Sequence, residues 1–423
     1  MALATEEIVE KKIQPVKQLK IAYIMSRFPK LTETFILYEL MALRDEGVEV
    51  EIFPLLREKQ SVAHPEADRL VRLAHYQPFI SLPIIKAHWH YLMKKPWTYL
   101  KMLYEVLAGT AGSVNFFFGA LGILPKSALF ARTMQQLGVD HVHAHFATHP
   151  AVAALIIYRL TGIPFSFTAH GSDLHVERRM LDKKVQAASV VVTISDYNKE
   201  LIIEECGEKF REKIKVIRCG TDLDLFAPPF EKDSETQLRI VCVASFEEVK
   251  GHTWLVKACE LLKTWGIDFV CHLIGEGPIR RHIEREISEA RLDRQFVLHG
   301  GLARQDVIDL LRSVHVQVLP SVPTQNGKRE GIPVVLMEGM ACGLPVISSN
   351  LSGIPELVEH ERSGILTEPR DYLALAQALK RLYEDKELRR TMGRNGRAKV
   401  AEQFDLKKNA KELYRLLALQ HTR

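Results

Sequence analysis

The sequence has no paired-cysteine motif. Its six cysteines (Cys206, Cys219, Cys242, Cys259, Cys271, Cys342) are scattered through the second half with no CxxC spacing, which excludes a zinc ribbon or a disulfide framework and suits a reducing compartment. No run reaches the roughly 18 uncharged apolar residues that a membrane span needs; the nearest, Val114 to Leu124 (VNFFFGALGIL), is too short. The opening MALATEEIVEKKIQ lacks the apolar stretch of a secretory signal, so a cytoplasmic chain is expected. Acidic residues are nearly missing from Arg69 to Gln135, where eight Lys/Arg face Glu105 alone and the net charge is +7. Repeats, low-complexity tracts and nucleic-acid recognition modules are missing too, so no nucleic-acid partner is expected.

What is present is an ordinary globular composition, 47% hydrophobic and 26% charged, which excludes disorder and fibrous repeats. With 423 residues the chain is too long for one core and fits two domains. Short β-rich runs alternate with amphipathic stretches, the signature of parallel α/β sheets. IAYIMS, VEVEIFPL, HVHAHF, PFSFTAHG, VVVTIS and IKVIRCG read as strands of a first sheet, with helices such as Glu33 to Asp45 and Asp196 to Glu205 between them. LRIVCVAS, FVCHLIGEG, FVLHG, VHVQVLPS and LPVISS read as a second sheet, with helices near 253–265, 278–290, 305–313 and 333–342. The expected division is a tail (1–18), a first Rossmann-like domain (19–220) carrying a basic-aromatic helical segment (79–130), a linker (221–237), a second domain (238–400) and a C-terminal helix (401–423) able to cross back to the first. The class is α/β: two doubly wound domains facing across a cleft.

Ligands of open parallel sheets sit beyond the carboxyl ends of the strands. There the sequence places His170, Gly171 and Asp173 after PFSFTA, Lys250 after IVCVAS, Gly275 and Gly277 after FVCHLI, and Glu330 after VQVLPS. The densest signal is EGIPVVLMEGMACGLPVISS, residues 330–349. Gly331 permits close backbone approach, and Pro333 suits the first turn of a helix whose free N–H groups face an anion such as a diphosphate. Glu330 and Glu338 would flank that anion and accept hydrogen bonds from sugar hydroxyls. By spacing alone, two glutamates eight positions apart are equally a chance pair on a solvated helix.

This run resembles the E-x7-E signature of glycosyltransferase family 4, retaining enzymes with the GT-B fold. TAHGSD, CGTDLDLF, KGH at Lys250 to His252, LIGEGP at 273–278 and SGIL at 363–366 follow the family's order, and the resemblance covers most of residues 19–400. SRFPKLTETFI with AHFA and TAHGSDLH is similar to the branch that builds bacterial exopolysaccharides, the colanic-acid type. The resemblance implies that the first domain is the acceptor side and the second the donor side. Glu330 then contacts donor-sugar hydroxyls, Glu338 the ribose, the main chain around Ile332, Pro333 and Val334 the sugar and diphosphate, and Lys250 the diphosphate. Gly275 and Gly277 belong to the donor loop, and His170 approaches the sugar from the first domain. The family's arginine five positions before the lysine is replaced by Ser245. Arg27 or Lys30, in an opening loop with Thr32 and Thr34, is the expected compensating cation. No cofactor and no metal are expected, since Lys250 and the helix near Pro333 take the place of the divalent ion.

His141, His143, His145 and His149 invite a metal reading, but alternation on a strand sets the first three on one face, where packing and substrate contact explain them. The segment 79–130 mixes lysines with Trp89, Tyr91, Trp97, Tyr99, Tyr104 and Phe116 to Phe118. That composition fits an anionic membrane surface and equally a helical hairpin packed on the first domain. The expected activity is transfer of a sugar from a UDP- or GDP-sugar to a hydroxyl of a lipid-linked oligosaccharide, peripherally at the inner membrane face. Two rivals remain, a nucleotide-sugar epimerase and a non-catalytic nucleotide-sugar-binding protein.

Overall fold

The computed structural model describes residues 19–29, 34–58, 69–228 and 237–421. Two six-stranded sheets form, both parallel throughout. The first contains β1 (Lys20–Phe28), β2 (Glu49–Arg57), β3 (His141–His145), β4 (Phe165–Ala169), β5 (Val190–Thr193) and β6 (Ile214–Val216), in the order β2-β1-β3-β4-β5-β6. The second contains β7 (Leu238–Val243), β8 (Phe269–Ile274), β9 (Phe296–Gly300), β10 (Val316–Leu319), β11 (Val346–Ser349) and β12 (Gly364–Thr367), in the order β12-β11-β10-β7-β8-β9. Helices cover both faces, so central strands such as β4 and β10 are buried at every residue. Burial on both faces is why these strands read as apolar runs rather than as alternation.

In each sheet the chain starts in the middle and reverses direction once, between β1 and β3 and between β7 and β10. Crevices open at such reversals. The two crevices face each other, and the cleft lies between them.

The helices follow from local chemistry. The helix α1 (Thr34–Asp45) buries Ile36, Leu37, Leu40 and Leu43 along one stripe, the spacing of a single helical face. The basic-aromatic segment folds into α2 (Leu82–Lys94), α3 (Pro96–Thr110) and α4 (Val114–Leu137). Ser81 and Ser113 accept the first-turn N–H groups of α2 and α4, and Gly138, at φ 68°, closes α4, both expected at helix ends. The apolar run 114–124 is the first half of the longer helix α4. At 24 residues the helix is long and apolar enough by length and composition to cross a membrane, and 56% of its most apolar window is buried inside the protein.

Further along, α5 (His149–Thr161) and α6 (Asp196–Cys206) complete the first domain's outer layers. In the second domain α7 (His252–Thr264), α8 (Arg280–Glu289), α9 (Arg304–Ser313), α10 (Val334–Ala341) and α11 (Tyr372–Glu384) do the same. The chain ends with α12 (Lys386–Gln403) and α13 (Leu406–Leu419). The last of these crosses back: Ala410, Leu413 and Leu417 pack in one core with Ile21, Tyr23 and Leu40. The outgoing and returning passages meet, with Thr221 donating to the Phe404 carbonyl (2.9 Å) and Leu406 to that of Thr221 (3.2 Å). A Cβ on Gly220 would lie 2.4 Å from the Leu406 backbone.

Candidate active site in the interdomain cleft

A cavity of about 490 Å³ lies between the domains, the size of a small-ligand site. Of the residues expected from sequence, Thr34, His170, Lys250, Glu330, Gly331, Ile332, Pro333, Val334 and Glu338 line it. The expected residues Arg27, Asp173, Gly275 and Gly277 do not, and Lys30 and Thr32 lie outside the described residues.

Each exception has a physical reason. Arg27 is turned to Glu58, 3.9 Å away. Asp173 is buried, and its carboxylate accepts the backbone N–H groups of Ala147, His170 and Gly171, so it shapes the turn that presents His170. Gly275, at φ 141°, leaves no room for a side chain, because a Cβ would stand 2.0 Å from the Ala244 carbonyl oxygen. A Cβ on Gly277 would be 2.5 Å from that of Phe246. These glycines let the loop after β8 press on the loop after β7, and that second loop reaches the cavity.

On the second domain's wall, Lys250 ends a short turn after β7 and Gly251 follows at φ 74°, its Cα against the carbonyl of Pro320 beyond β10. The Lys250 ammonium donates to Glu330 Oε2 at 2.6 Å. The helix α10 starts after Pro333, so its first turn points into the cavity. Burial pushes the Glu338 carboxyl up to about 7, with Arg304 pulling it down.

Across the cleft stands His170. Its Nε2 is 3.0 Å from His145 Nδ1, and its Nδ1 is 3.8 Å from the Cys219 sulfur. His145 Nε2 reaches Glu39 Oε1 at 3.1 Å. An ionised carboxylate only accepts, so His145 carries its proton on Nε2. His170, kept neutral by its burial, carries one ring proton, and its two nitrogens divide the roles of donor and acceptor between His145 and the thiol. Burial, then His145, holds His170 well below the usual histidine range. Both ring nitrogens are therefore spent inside the protein, and the ring face and main chain are what His170 offers a ligand.

The other strand histidines are also satisfied. His141 and His143 share Ser166 Oγ, and His143 also meets Thr168 Oγ1. Glu39, His143 and His145 bring ligand atoms within 4.8 Å of one another, but the hydroxyls and His170 already occupy these nitrogens, as packing requires. His149 instead stacks on Phe116 at 4.9 Å.

Three cationic lining residues, Arg304, Lys328 and Arg329, were not anticipated. Arg304 opens α9, just past β9, and its guanidinium lies 3.8 Å from the ring centroid of Tyr38 on α1. The strand-end rule that found Lys250 would have found Arg304 too. Lys328 and Arg329 sit in the loop before Glu330. Ser245 lines the cavity as well, its hydroxyl donating to Glu247 Oε1 at 3.2 Å.

Contacts below the cavity join the domains. The Glu356 carboxylate accepts the N–H groups of Asp196 and Tyr197 at the start of α6 and a bond from Arg218. His175 Nδ1 reaches the Arg329 carbonyl at 3.3 Å.

Along most of its length the chain is similar to known glycosyltransferases. The family model "Glycosyltransferase Family 4" matches residues 32–225, and "Glycosyl transferases group 1" matches 227–399. The "Putative colanic acid biosynthesis glycosyltransferase WcaL" of Escherichia coli K12 is 30% identical over 411 residues, 94% of this chain and 99% of that one. The amylovoran biosynthesis glycosyltransferase AmsK of Erwinia amylovora is 29% identical, over 92% of this chain and 96% of that one. Among solved structures, Anabaena HepE in complex with UDP superposes with a TM-score of 0.71 at 18% identity, covering 95% of this chain and all (100%) of that one. Sucrose-phosphate synthase from Thermosynechococcus elongatus gives 0.69 at 20% identity, over 96% and 100%. The fold is GT-B, and the chain belongs to this glycosyltransferase family as an enzyme of the hexosyltransferase class.

Proposed function

We propose that this family member moves a sugar from a nucleoside diphosphate donor, UDP- or GDP-linked, to a hydroxyl of a lipid-linked oligosaccharide, with retention at the anomeric carbon, in exopolysaccharide synthesis. The observation that carries the reading is the Lys250–Glu330 pair at 2.6 Å beside the start of α10. It puts an ammonium, a carboxylate and a helix N-terminus at one point of the cavity wall. A diphosphate takes the ammonium and the helix N–H groups, and Glu330 is then released to accept from a sugar hydroxyl. Glu338 accepts from the ribose. The relatives' names, colanic acid and amylovoran biosynthesis, support the polymer class, and HepE's binding of UDP and UDP-glucose supports the donor class.

The bond from the anomeric carbon to the phosphate oxygen breaks, and the bond to the acceptor oxygen forms on the same face. The acceptor's proton passes to a leaving-phosphate oxygen. Lys250 and α10 stabilise the charge that builds on the diphosphate, the usual largest contribution of a preorganised site. His170, with both nitrogens engaged, holds the sugar by its ring face and main chain.

The hairpin α2–α4 supports a peripheral seat at the inner membrane face. Trp97 is 83% exposed and Ile80 80%, and Leu82, Ile85, Trp89, Met93, Tyr104 and Phe118 are exposed with them. Lys86, Lys94 and Lys101 border these groups, and the one acid, Glu105, is held by Arg159 at 3.0 Å. Each lysine near an anionic surface contributes about 1 kcal/mol.

The test is release of nucleoside diphosphate on adding acceptor lipid. Sugar inversion without acceptor favours the epimerase, and nucleotide binding without turnover the binding protein.

A further inference from the structure

We infer that Lys328 is this chain's second cation for the donor diphosphate, and that Glu247 keeps it in place until the donor arrives. The inference rests on reading the cleft as a nucleoside diphosphate site.

A diphosphate linking nucleoside to sugar carries two negative charges, and a third builds on it as it departs, until the acceptor's proton arrives. One ammonium does not balance that. Among the described residues, four cationic side chains line the cavity: Lys250, Arg304, Lys328 and Arg329. Arg304 is stacked on Tyr38 and lies beside Glu338. Arg329 points away, with Nη1 3.4 Å from the Tyr197 hydroxyl. Lys250 and Lys328 are left, and each is held by a carboxylate: Lys250 by Glu330 at 2.6 Å, Lys328 by Glu247 at 2.5 Å.

The position of Lys328 is built from two sides. Its carbonyl accepts from the Thr324 N–H (3.0 Å) and hydroxyl (3.1 Å), and its own N–H donates to Asn326 Oδ1 at 3.2 Å. Gly327, at φ 84°, makes the turn, and Arg370 holds the Pro323 carbonyl at 2.8 Å. The backbone is tied down, and the side chain is left to move. On the other side, Glu247 lies two residues past Ser245 and three before Lys250, and its second oxygen takes the Ser245 hydroxyl. The Lys328 ammonium therefore reaches across from the β10 loop to the β7 loop, the two strands between which the sheet reverses. It brings to Ser245's place in the cavity the positive charge that the serine lacks.

The pair is also easily exchanged. The side chains of Lys328 and Glu247 are 39% and 40% exposed, and ion pairs that open to water contribute little. A diphosphate presenting several oxygens to both lysines displaces both carboxylates. Glu247 is thus a placeholder that competes with the donor.

Calorimetric titration of the full chain with UDP and UMP, and with GDP and GMP, tests this. Wild type should bind one diphosphate more tightly than its monophosphate. Lys328→Ala should weaken that diphosphate about tenfold, some 1.4 kcal/mol, and leave the monophosphate within about twofold. Glu247→Gln should tighten the diphosphate, and Ser245→Arg added to Lys328→Ala should recover most of the loss. An unchanged diphosphate-to-monophosphate ratio in both Lys328→Ala and Lys328→Met overturns the assignment. Failure of wild type to bind any of the four nucleotides overturns the donor reading itself, and this proposal with it. Thermal melts of each variant confirm that the fold is kept.

Discussion

Gly331 and His170 meet backbone to backbone across the cleft: a Cβ on Gly331 would stand 2.6 Å from the His170 carbonyl oxygen. One atom at this point separates the two walls, because neither partner is a flexible side chain. Gly331→Ala should lower kcat/KM at least about tenfold, the cost expected of a small misplacement of reacting groups, with Tm little changed because the clash falls on the contact between the domains and Ile194 is met only at an ordinary 3.5 Å. Steady-state kinetics beside a melting curve decides it. Activity near wild type would mean that the domains need not come this close.

Glu330→Ala, Glu338→Ala and Lys250→Ala should each fold and each lose about 100-fold or more in nucleoside diphosphate release, the scale of losing one transition-state contact. Full rates in all three would remove this site from the chemistry.

The Glu338 carboxyl gives a pH dependence with a definite sign. Its folded value, raised by burial to about 7, lies above the ordinary 4.5. Between the two the folded chain binds the proton more tightly than the unfolded one, so stability falls as pH rises through that window and stays lower above it. Glu338→Gln does not titrate, so it should melt several degrees above wild type at pH 8 and together with it at pH 4. Donor affinity of the wild type should rise through pH 7, as the carboxylate needed by a ribose hydroxyl forms. A variant no more stable than wild type at pH 8 contradicts the assignment.

For the hairpin, co-sedimentation with vesicles containing anionic lipid should be lost in Trp89→Ser/Trp97→Ser and weakened by Lys94→Glu/Lys101→Glu. Added salt should weaken the wild type, since exposed charges are screened. Equal binding to neutral vesicles at all salt levels would leave the lysines without a role.

Most of the fold was legible because parallel strands buried on both faces leave apolar runs that spacing alone identifies. The strand β12, four residues long, gave no such run and was noticed only as the motif SGIL. The apolar run that opens α4 stops at Leu124, well short of the helix's end, because the chain turns polar at Lys126, a residue that is nonetheless buried and donates to the Leu55 carbonyl at 2.7 Å. In the site, what depends on chain order was visible: Lys250, His170 and Glu330 lie in loops that follow strands, and Glu338 lies in the helix that opens just after Glu330. What depends on folding partners was not. Nothing in the sequence ties His170 to Glu39 through His145, turns Arg27 toward Glu58, or brings Lys328 to Glu247, since these pairs lie between 31 and 131 positions apart.

The paired passages at Thr221 and Leu406 constrain how the enzyme can breathe. A body joined at one point swivels about any axis, whereas two strands bonded side by side act like a hinge pin. Entry of substrates and escape of products are then one rocking motion taken in opposite senses. A chain cut before Asp405 would keep every side chain of the cavity and lose the axle that brings its halves back into register.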